Sequence, residues 1–89
     1  MQIIHNAEQG EFSYFEGEVK MGKLRYRYIR DDVIDVFTTK VDEAFQGKGI
    51  AGKLYSAVIE FAKQNQLKVK PSCSYIDVKM QRNDPDLIA

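Results

Sequence analysis

The sequence predicts a mixed α/β (α+β) domain, in which an antiparallel strand meander is followed by a strand, a helix, a strand and a second helix. Two observations support this order. Apolar and polar residues alternate along the first half of the chain, whereas apolar residues recur at helical spacing in the second half. The chain has 89 residues, which is the size of one domain, so we expect residues 1–89 to fold as a single unit.

The first half contains four predicted strands, at residues 2–4, 11–19, 23–30 and 33–41. In the third of these, Leu24, Tyr26 and Tyr28 fall on one face, between basic residues on the other, as in a half-buried antiparallel strand. We expect a turn at Gly22 before this strand. The fourth strand is more uniformly apolar at its start, which predicts an interior position in the sheet.

The second half begins with a predicted helix at about residues 49–64. Apolar residues recur there at intervals of three and four, which is the spacing of one buried helix face; they are Ile50, Leu54, Val58, Phe61 and Ala62. A short strand is predicted at residues 67–70, ended by Pro71, and residues 73–80 can form a second, shorter helix. We expect the crossover through the first helix to place the strands at 33–41 and 67–70 parallel, with a right-handed connection.

Composition argues against several classes of function or excludes them. The chain has 13 basic and 13 acidic residues, without the basic excess of a dedicated nucleic-acid binder. A single cysteine and a single histidine cannot form a disulfide or a Cys-rich zinc site, so we predict no metal centre. The sequence contains no secretory leader pattern and no run of ~20 apolar residues. We therefore expect a cytoplasmic protein with no membrane association.

The junction between the fourth strand and the first helix carries the strongest functional signal. Residues 46–52 read Gln-Gly-Lys-Gly-Ile-Ala-Gly. A helix start has unpaired backbone N–H groups and the positive end of the helix dipole. Glycines there permit positive φ and close approach of a ligand to the backbone. The stretch is therefore predicted to bind an anion, most naturally phosphate.

The stretch also fits two known glycine motifs in part, and it has a purely structural explanation. A Walker A loop fits from Gly47 to Lys53, but Leu54 stands where the motif needs Ser or Thr. The G-x-x-G clamp of RNA-binding KH domains fits residues 49–52, yet that turn joins two helices, whereas a strand precedes this one. The glycines could also serve only to connect a strand tightly to a helix.

The stretch also resembles the pyrophosphate loop of the GNAT superfamily of N-acetyltransferases, [QR]-x-x-G-x-[GA]. Gln46, Gly49 and Ala51 occupy its three fixed positions. Nearly the whole chain is similar to a group of very small GNAT-like proteins, in which the helix is followed by a strand and a proline-x-cysteine-x-aromatic segment. Here that segment is Pro71-Ser72-Cys73-Ser74-Tyr75. The resemblance implies a minimal acyl-CoA N-acyltransferase-like fold.

The resemblance further implies that acetyl-CoA is the cofactor. Backbone N–H groups of the glycine turn would receive the pyrophosphate, Lys48 would add peripheral charge, and the end of the strand at 33–41 would pair with the pantetheine arm. A backbone N–H of that strand could also polarise the thioester carbonyl. The implied cofactor-binding residues are Thr39, Val41, Gln46, Gly47, Lys48, Gly49, Ile50, Ala51 and Gly52.

Cys73 is the candidate catalytic residue. It stands at the predicted start of the last helix, where backbone N–H groups favour a thiolate, and it could accept the acyl group covalently. The alternative is a packed thiol that shapes the acyl pocket. The chain departs from the small GNAT-like pattern at Thr38, where a histidine is usual, at Ser74, where proline is frequent, and at Lys79, where an aromatic hydroxyl is usual.

The resulting hypothesis is an acetyltransferase that moves an acetyl group from acetyl-CoA to an unknown acceptor, either a protein or a small amine. The first alternative is a non-catalytic module that binds or senses acyl-CoA. The second alternative is a small nucleic-acid-binding domain that uses the glycine turn and the basic strand face. The basic residues of this strand are Lys23, Arg25, Arg27 and Arg30. The oligomeric state is not predicted.

Overall fold

The computed structural model describes residues 2–89. Its elements are strands β1 (Gln2–Asn6), β2 (Glu11–Glu16), β3 (Val19–Arg30), β4 (Val33–Val41) and β5 (Lys68–Pro71), and helices α1 (Ile50–Gln64) and α2 (Ser74–Asn83). Short 3-10 helices follow β4 at Glu43–Phe45 and α2 at Pro85–Leu87. The predicted order of an antiparallel meander, then strand, helix, strand and helix, is confirmed.

The five strands form one sheet in the order β1-β2-β3-β4-β5. The first three pairings are antiparallel, and β4 pairs with β5 in parallel. The predicted crossover through α1 therefore joins neighbouring parallel strands. β4 lies between β3 and β5, and its first residues Val33, Ile34 and Val36 are buried, as expected for an interior strand.

The turn between β2 and β3 differs from the prediction. β2 ends at Glu16, Gly17 turns the chain with φ of 58°, and β3 begins at Val19. Gly22 lies inside β3 rather than in a turn. A Cβ at Gly22 would come within 3.2 Å of Ile50 Cγ2 and of the Lys40 carbonyl oxygen, so close packing against α1 and β4 explains the glycine.

One core cluster holds the two helices on the sheet. α1 contacts β2, β3 and β4, whereas α2 contacts β4 and β5. The apolar face predicted for α1 is buried, and α2 contributes Ile76 and Met80, both with 0% exposure. Tyr55, in the second turn of α1, donates a hydrogen bond to Asp84, the C-cap residue of α2. Among residues 2–89, no helix is both long and apolar enough to cross a membrane.

Alternation along β3 is confirmed only in part. Leu24 and Tyr26 are buried, but Tyr28 is 53% exposed. The register of β3 against β4 shifts between Tyr28 and Arg30. Tyr26 contacts Phe61 near the end of α1, so Tyr28, two residues further along the strand, lies beyond the cover of the helix.

Candidate functional site

The site begins where β5 separates from β4. Their last paired residues are Val36 and Pro71, and the backbone N–H of Cys73 then donates to the Val36 carbonyl oxygen at 3.0 Å. β4 continues without this neighbour to Val41. An unpaired strand edge can accept an extended ligand through main-chain hydrogen bonds, so the divergence opens one side of β4 from Phe37 onward.

A short capped segment then leads from β4 to α1. The Asp42 side chain accepts a hydrogen bond from the Ala44 N–H at 3.1 Å, which stabilises the 3-10 helix at Glu43–Phe45. Gln46 turns back, and its Nε2 donates to the Val41 carbonyl oxygen at 3.4 Å. These two side-chain contacts hold the glycine turn close to the end of β4.

The glycine turn presents a row of free backbone donors. Gly47 and Gly49 have φ of 85° and 77°, a left-handed conformation that costs other residues about 1 kcal/mol. Gly49 is the N-cap of α1, without a side-chain cap. Within residues 2–89, no backbone N–H from Gly47 to Gly52 donates a hydrogen bond, and Lys53 N is the first to do so, to Gly49 O at 3.1 Å.

The space next to these donors is open. A Cβ at Gly47 or Gly49 would meet no atom within 4 Å, so backbone conformation, and not crowding within the protein, requires glycine there. Free N–H groups at the positive end of a 15-residue helix are suited to an anion. The geometry of this turn is therefore suited to an anion, and phosphate binding by these residues stays a prediction.

A groove of about 410 Å³ lies between the end of β4, the glycine turn and the start of α2. This volume falls within the range of small-molecule sites. Its lining residues are Thr39, Val41, Phe45, Gln46, Gly47, Gly49, Ile50, Ala51, Gly52 and Tyr75. All predicted cofactor-binding residues except Lys48 thus meet in one groove. Lys48 is exposed, and its Nζ lies 5.6 Å from the centre of the Phe45 ring.

Two lining residues were not predicted to bind ligand, Phe45 and Tyr75. Phe45 belongs to the segment that connects β4 to α1, and no sequence motif marks it. Tyr75 is the aromatic residue of the proline-x-cysteine-x-aromatic segment, so the sequence did single it out, but without a role. Its location in the groove depends on how α2 packs next to α1.

The groove wall contains a polar atom without a partner. Thr39 Oγ1 is buried and makes no hydrogen bond within residues 2–89. Burying a hydroxyl without a partner costs about 1–3 kcal/mol. A ligand with an amide or hydroxyl group would satisfy this atom, and the pantetheine arm implied by the sequence resemblance carries such groups. The donors and acceptors that line the groove therefore fit an acyl-CoA.

Cys73 lies at the N-cap of α2, partly buried and packed against the core. Its carbonyl oxygen accepts from the Asp77 N–H at 2.9 Å, so its backbone is anchored both to α2 and to β4. Cys73 does not line the groove itself. Tyr75, two residues after Cys73, does line the groove. Partial desolvation, followed by the nearby Cys73, raises the pKa of its hydroxyl.

The alternative motifs do not match the local structure. Residues 49–52 form the N-cap and first turn of α1 rather than a turn between two helices. The basic charge of β3 is partly neutralised, because Arg27 pairs with Asp35 at 3.3 Å and Arg25 pairs with Glu11 at 3.9 Å. The guanidinium groups of Arg25 and Arg27 lie over the Phe37 ring, at 5.7 and 5.3 Å from its centre.

A mixed sheet whose parallel strands diverge next to a glycine-rich helix start defines the class of the GNAT-like acyltransferase fold, and structural comparison agrees. A solution structure of a GCN5-like protein from Staphylococcus aureus aligns with 99% of this chain and 87% of its own, with a TM-score of 0.78 and 26% identity. A family model described as GCN5-related N-acetyl-transferase matches residues 11–87. The chain belongs to the GCN5-related N-acetyltransferase family.

Named relatives cover most of the chain. The human protein NATD1 is 33% identical over 84 residues, which is 93% of this chain and 74% of that protein. The NATD1 protein of Xenopus tropicalis is 30% identical over the same length and is covered to 77%. These relatives support the family assignment for almost the full length of the chain.

A more distant structure shares the fold alone. It is a GNAT family acetyltransferase from Elizabethkingia anophelis with acetyl-CoA bound, which aligns with 81% of this chain and 50% of its own, with a TM-score of 0.63 and 20% identity. The presence of acetyl-CoA is a property of that protein. For the present chain, the groove geometry and the family membership motivate the proposal below.

Proposed function

We propose that this chain binds acetyl-CoA in the groove between β4 and α2 and transfers its acetyl group to an acceptor. The observation that carries this proposal is the row of unpaired N–H groups from Gly47 to Gly52. These donors would receive the pyrophosphate oxygens at the positive end of α1. Family membership supports the same assignment.

The pantetheine arm would lie along the free edge of β4. Thr39 and Val41 line that part of the groove, and the unpartnered Thr39 Oγ1 would bond to an amide of the arm. This path leads from the glycine turn toward the point where β4 and β5 separate. Cys73 is attached to that point through its N–H and the Val36 carbonyl oxygen.

Cys73 is proposed as the acyl-accepting nucleophile. In this step the thiolate Sγ attacks the carbonyl carbon of the acetyl thioester and forms a new C–S bond. The C–S bond to CoA breaks, and CoA leaves as a thiolate that takes up a proton. The acetyl group then passes from Cys73 to the acceptor, which restores the free thiol.

Binding is tested by titrating acetyl-CoA into isotope-labelled protein and following the backbone amide resonances. The expected result is large shifts at Gly47 to Ala51, with smaller ones near Thr39 and Cys73. Gly49→Ala is the disruptive variant and Gly17→Ala is its matched control. Both glycines have positive φ, at 77° and 58°, and both have open space at Cβ, but only Gly49 lines the groove. Equal affinity in the two variants, or no shifts with millimolar acetyl-CoA, would refute the assignment.

Turnover is tested separately by mass spectrometry after incubation with acetyl-CoA. An added acetyl group on Cys73 is expected, and Cys73→Ala should lose both this modification and acetyl transfer, while its CoA affinity stays within a few-fold of the parent. If Cys73→Ala hydrolyses or transfers acetyl-CoA like the parent, Cys73 is not the nucleophile.

A non-catalytic acyl-CoA-binding role is the second candidate. It is favoured by Thr38 and Lys79, which replace the histidine and aromatic hydroxyl usual in small GNAT-like proteins, and by the absence of Cys73 from the groove lining. Under this alternative the titration gives the same shifts, but no acetyl group appears on Cys73 and acetyl-CoA is not consumed.

A further inference from the structure

Tyr75 crosses the groove from α2 to α1. It lies in the first turn of α2 and lines the groove together with the glycine turn. Its hydroxyl oxygen is 3.7 Å from the place where a Cβ on Gly52 would stand. The phenol therefore reaches the first turn of α1, next to the last of the free backbone N–H groups.

The hydroxyl of Tyr75 is available for a ligand. It makes no hydrogen bond to any part of the chain that the structure describes. The phenol is a protonated donor at neutral pH, and partial desolvation, followed by the nearby Cys73, raises its pKa further. Lys79 Nζ lies 6.0 Å from the centre of the same ring, so a positive charge stands near the phenol.

These features place a side-chain donor beside backbone donors that face the same space. A hydrogen bond from a neutral hydroxyl to a phosphate oxygen is charge-assisted, and such bonds are about twice as strong as neutral ones. The Tyr75 hydroxyl can therefore donate a hydrogen bond to an oxygen atom of a ligand bound in the groove. Because Tyr75 is 37% exposed, a ligand without phosphate at this position would leave the hydroxyl hydrogen-bonded to water.

We propose that Tyr75 is a specificity-determining residue, whose hydroxyl donates to the pyrophosphate of CoA and so selects CoA thioesters over pantetheine thioesters that lack the pyrophosphate. This inference rests on the proposed acetyl-CoA site. It assigns Tyr75 a binding role that is separate from any role of Cys73 in acyl transfer.

The experiment compares acetyl-CoA with S-acetyl-pantetheine by NMR titration of the parent protein, Tyr75→Phe and Tyr28→Phe. Phenylalanine keeps the ring and removes only the hydroxyl. Tyr28 is 53% exposed and lies outside the groove, so Tyr28→Phe is the matched control. Amide spectra of the free variants verify that each one is folded.

Tyr75→Phe should bind acetyl-CoA about tenfold more weakly than the parent, which corresponds to the loss of one charge-assisted hydrogen bond. Its affinity for S-acetyl-pantetheine should be unchanged, and Tyr28→Phe should match the parent for both ligands. Unchanged acetyl-CoA affinity in Tyr75→Phe, or an equal loss for both ligands, would overturn the role of the hydroxyl while the acetyl-CoA site stands. If the parent itself fails to bind acetyl-CoA, the proposed function fails and this inference falls with it.

Discussion

The backbone N–H of Cys73 donates to the carbonyl oxygen of Val36 at 3.0 Å, just beyond the last paired residues of β4 and β5. This hydrogen bond marks the point where the parallel strands separate. It also fixes the start of α2 relative to the central strand. The side chains of Cys73 and Tyr75 therefore take their positions from the geometry of the sheet, and not from a flexible loop.

Replacing Gly22 and Gly52 with alanine should change the free energy of unfolding in opposite directions. At Gly22 the new Cβ would be 3.2 Å from Ile50 Cγ2 and the Lys40 carbonyl oxygen, so Gly22→Ala should lower the free energy of unfolding by about 1–3 kcal/mol through overpacking. At Gly52 the nearest atom is 3.7 Å away, and alanine is the better helix former by about 1 kcal/mol. Gly52→Ala should therefore raise stability. Urea denaturation measures both, and a stable Gly22→Ala variant would contradict the close packing seen here.

The contact between Tyr55 and Asp84 should stabilise the packing of α2 on α1. The Tyr55 ring is buried, and its hydroxyl donates to the Asp84 carboxylate, which lies 3.6 Å from Lys63 Nζ. Tyr55→Phe should cost about 1–2 kcal/mol, because it removes a hydrogen bond to a charged group. Thermal unfolding measures the loss, with Tyr28→Phe as the exposed control. Equal melting temperatures for the two variants would show that this contact contributes little.

The ion pair between Asp35 and Arg27 should contribute to the stability of the fold. Its side chain is 4% exposed and lies 3.3 Å from Arg27 Nη2, and its other oxygen has no partner within residues 2–89. Arg27→Met should cost about 2 kcal/mol, because it leaves a buried charged acceptor unpaired. Adding Asp35→Asn to Arg27→Met should recover much of this loss. Chemical denaturation of the parent, both single variants and the double variant gives a double-mutant cycle for the free energy of unfolding. If the changes caused by the two substitutions are strictly additive, the two side chains are not coupled.

His5 should make stability depend on pH. Its ring stacks on Phe12 with centres 4.1 Å apart, and Nε2 lies 2.5 Å from Tyr26 Oη. Partial desolvation of the ring lowers the pKa of His5 below its ordinary value of 6.5, so the unfolded chain binds this proton more readily than the folded chain. The contribution of neutral His5 to the free energy of unfolding is therefore fully present above pH 6.5. It is lost as the pH falls toward the lower pKa of the folded state. Because His5 is largely exposed, solvent screening keeps the effect small.

His5→Phe keeps a stacked ring but cannot titrate, so its free energy of unfolding should change less between pH 7 and pH 5 than that of the parent. An identical pH dependence in the parent and His5→Phe would refute the role of His5.

Glu11 should affect stability at a lower pH than His5. Hydrogen bonds from Lys20 and Ser13 lower the pKa of Glu11 from 4.5. The contribution of its carboxylate to the free energy of unfolding is therefore lost only at lower pH, as the carboxylate becomes protonated.

The sequence alone determined the features that depend on local chemistry. The spacing of Ile50, Leu54 and Val58 predicts the buried face of α1, since the helical period alone decides which residues share a side. The glycines at 47 and 49 predict the anion-binding turn, because a left-handed backbone and free N–H groups are properties of a few adjacent residues. The parallel crossover follows from the order of the elements.

Tertiary structure decided what depends on distant parts of the chain. Gly22 lies inside a strand because Ile50 and Lys40, far away in sequence, approach its Cα. Tyr75 enters the groove because α2 packs next to α1, and the edge of β4 at Thr39 is free because β5 separates from β4 after Val36. Such relationships arise from contacts between elements, and no local pattern of residue types encodes them.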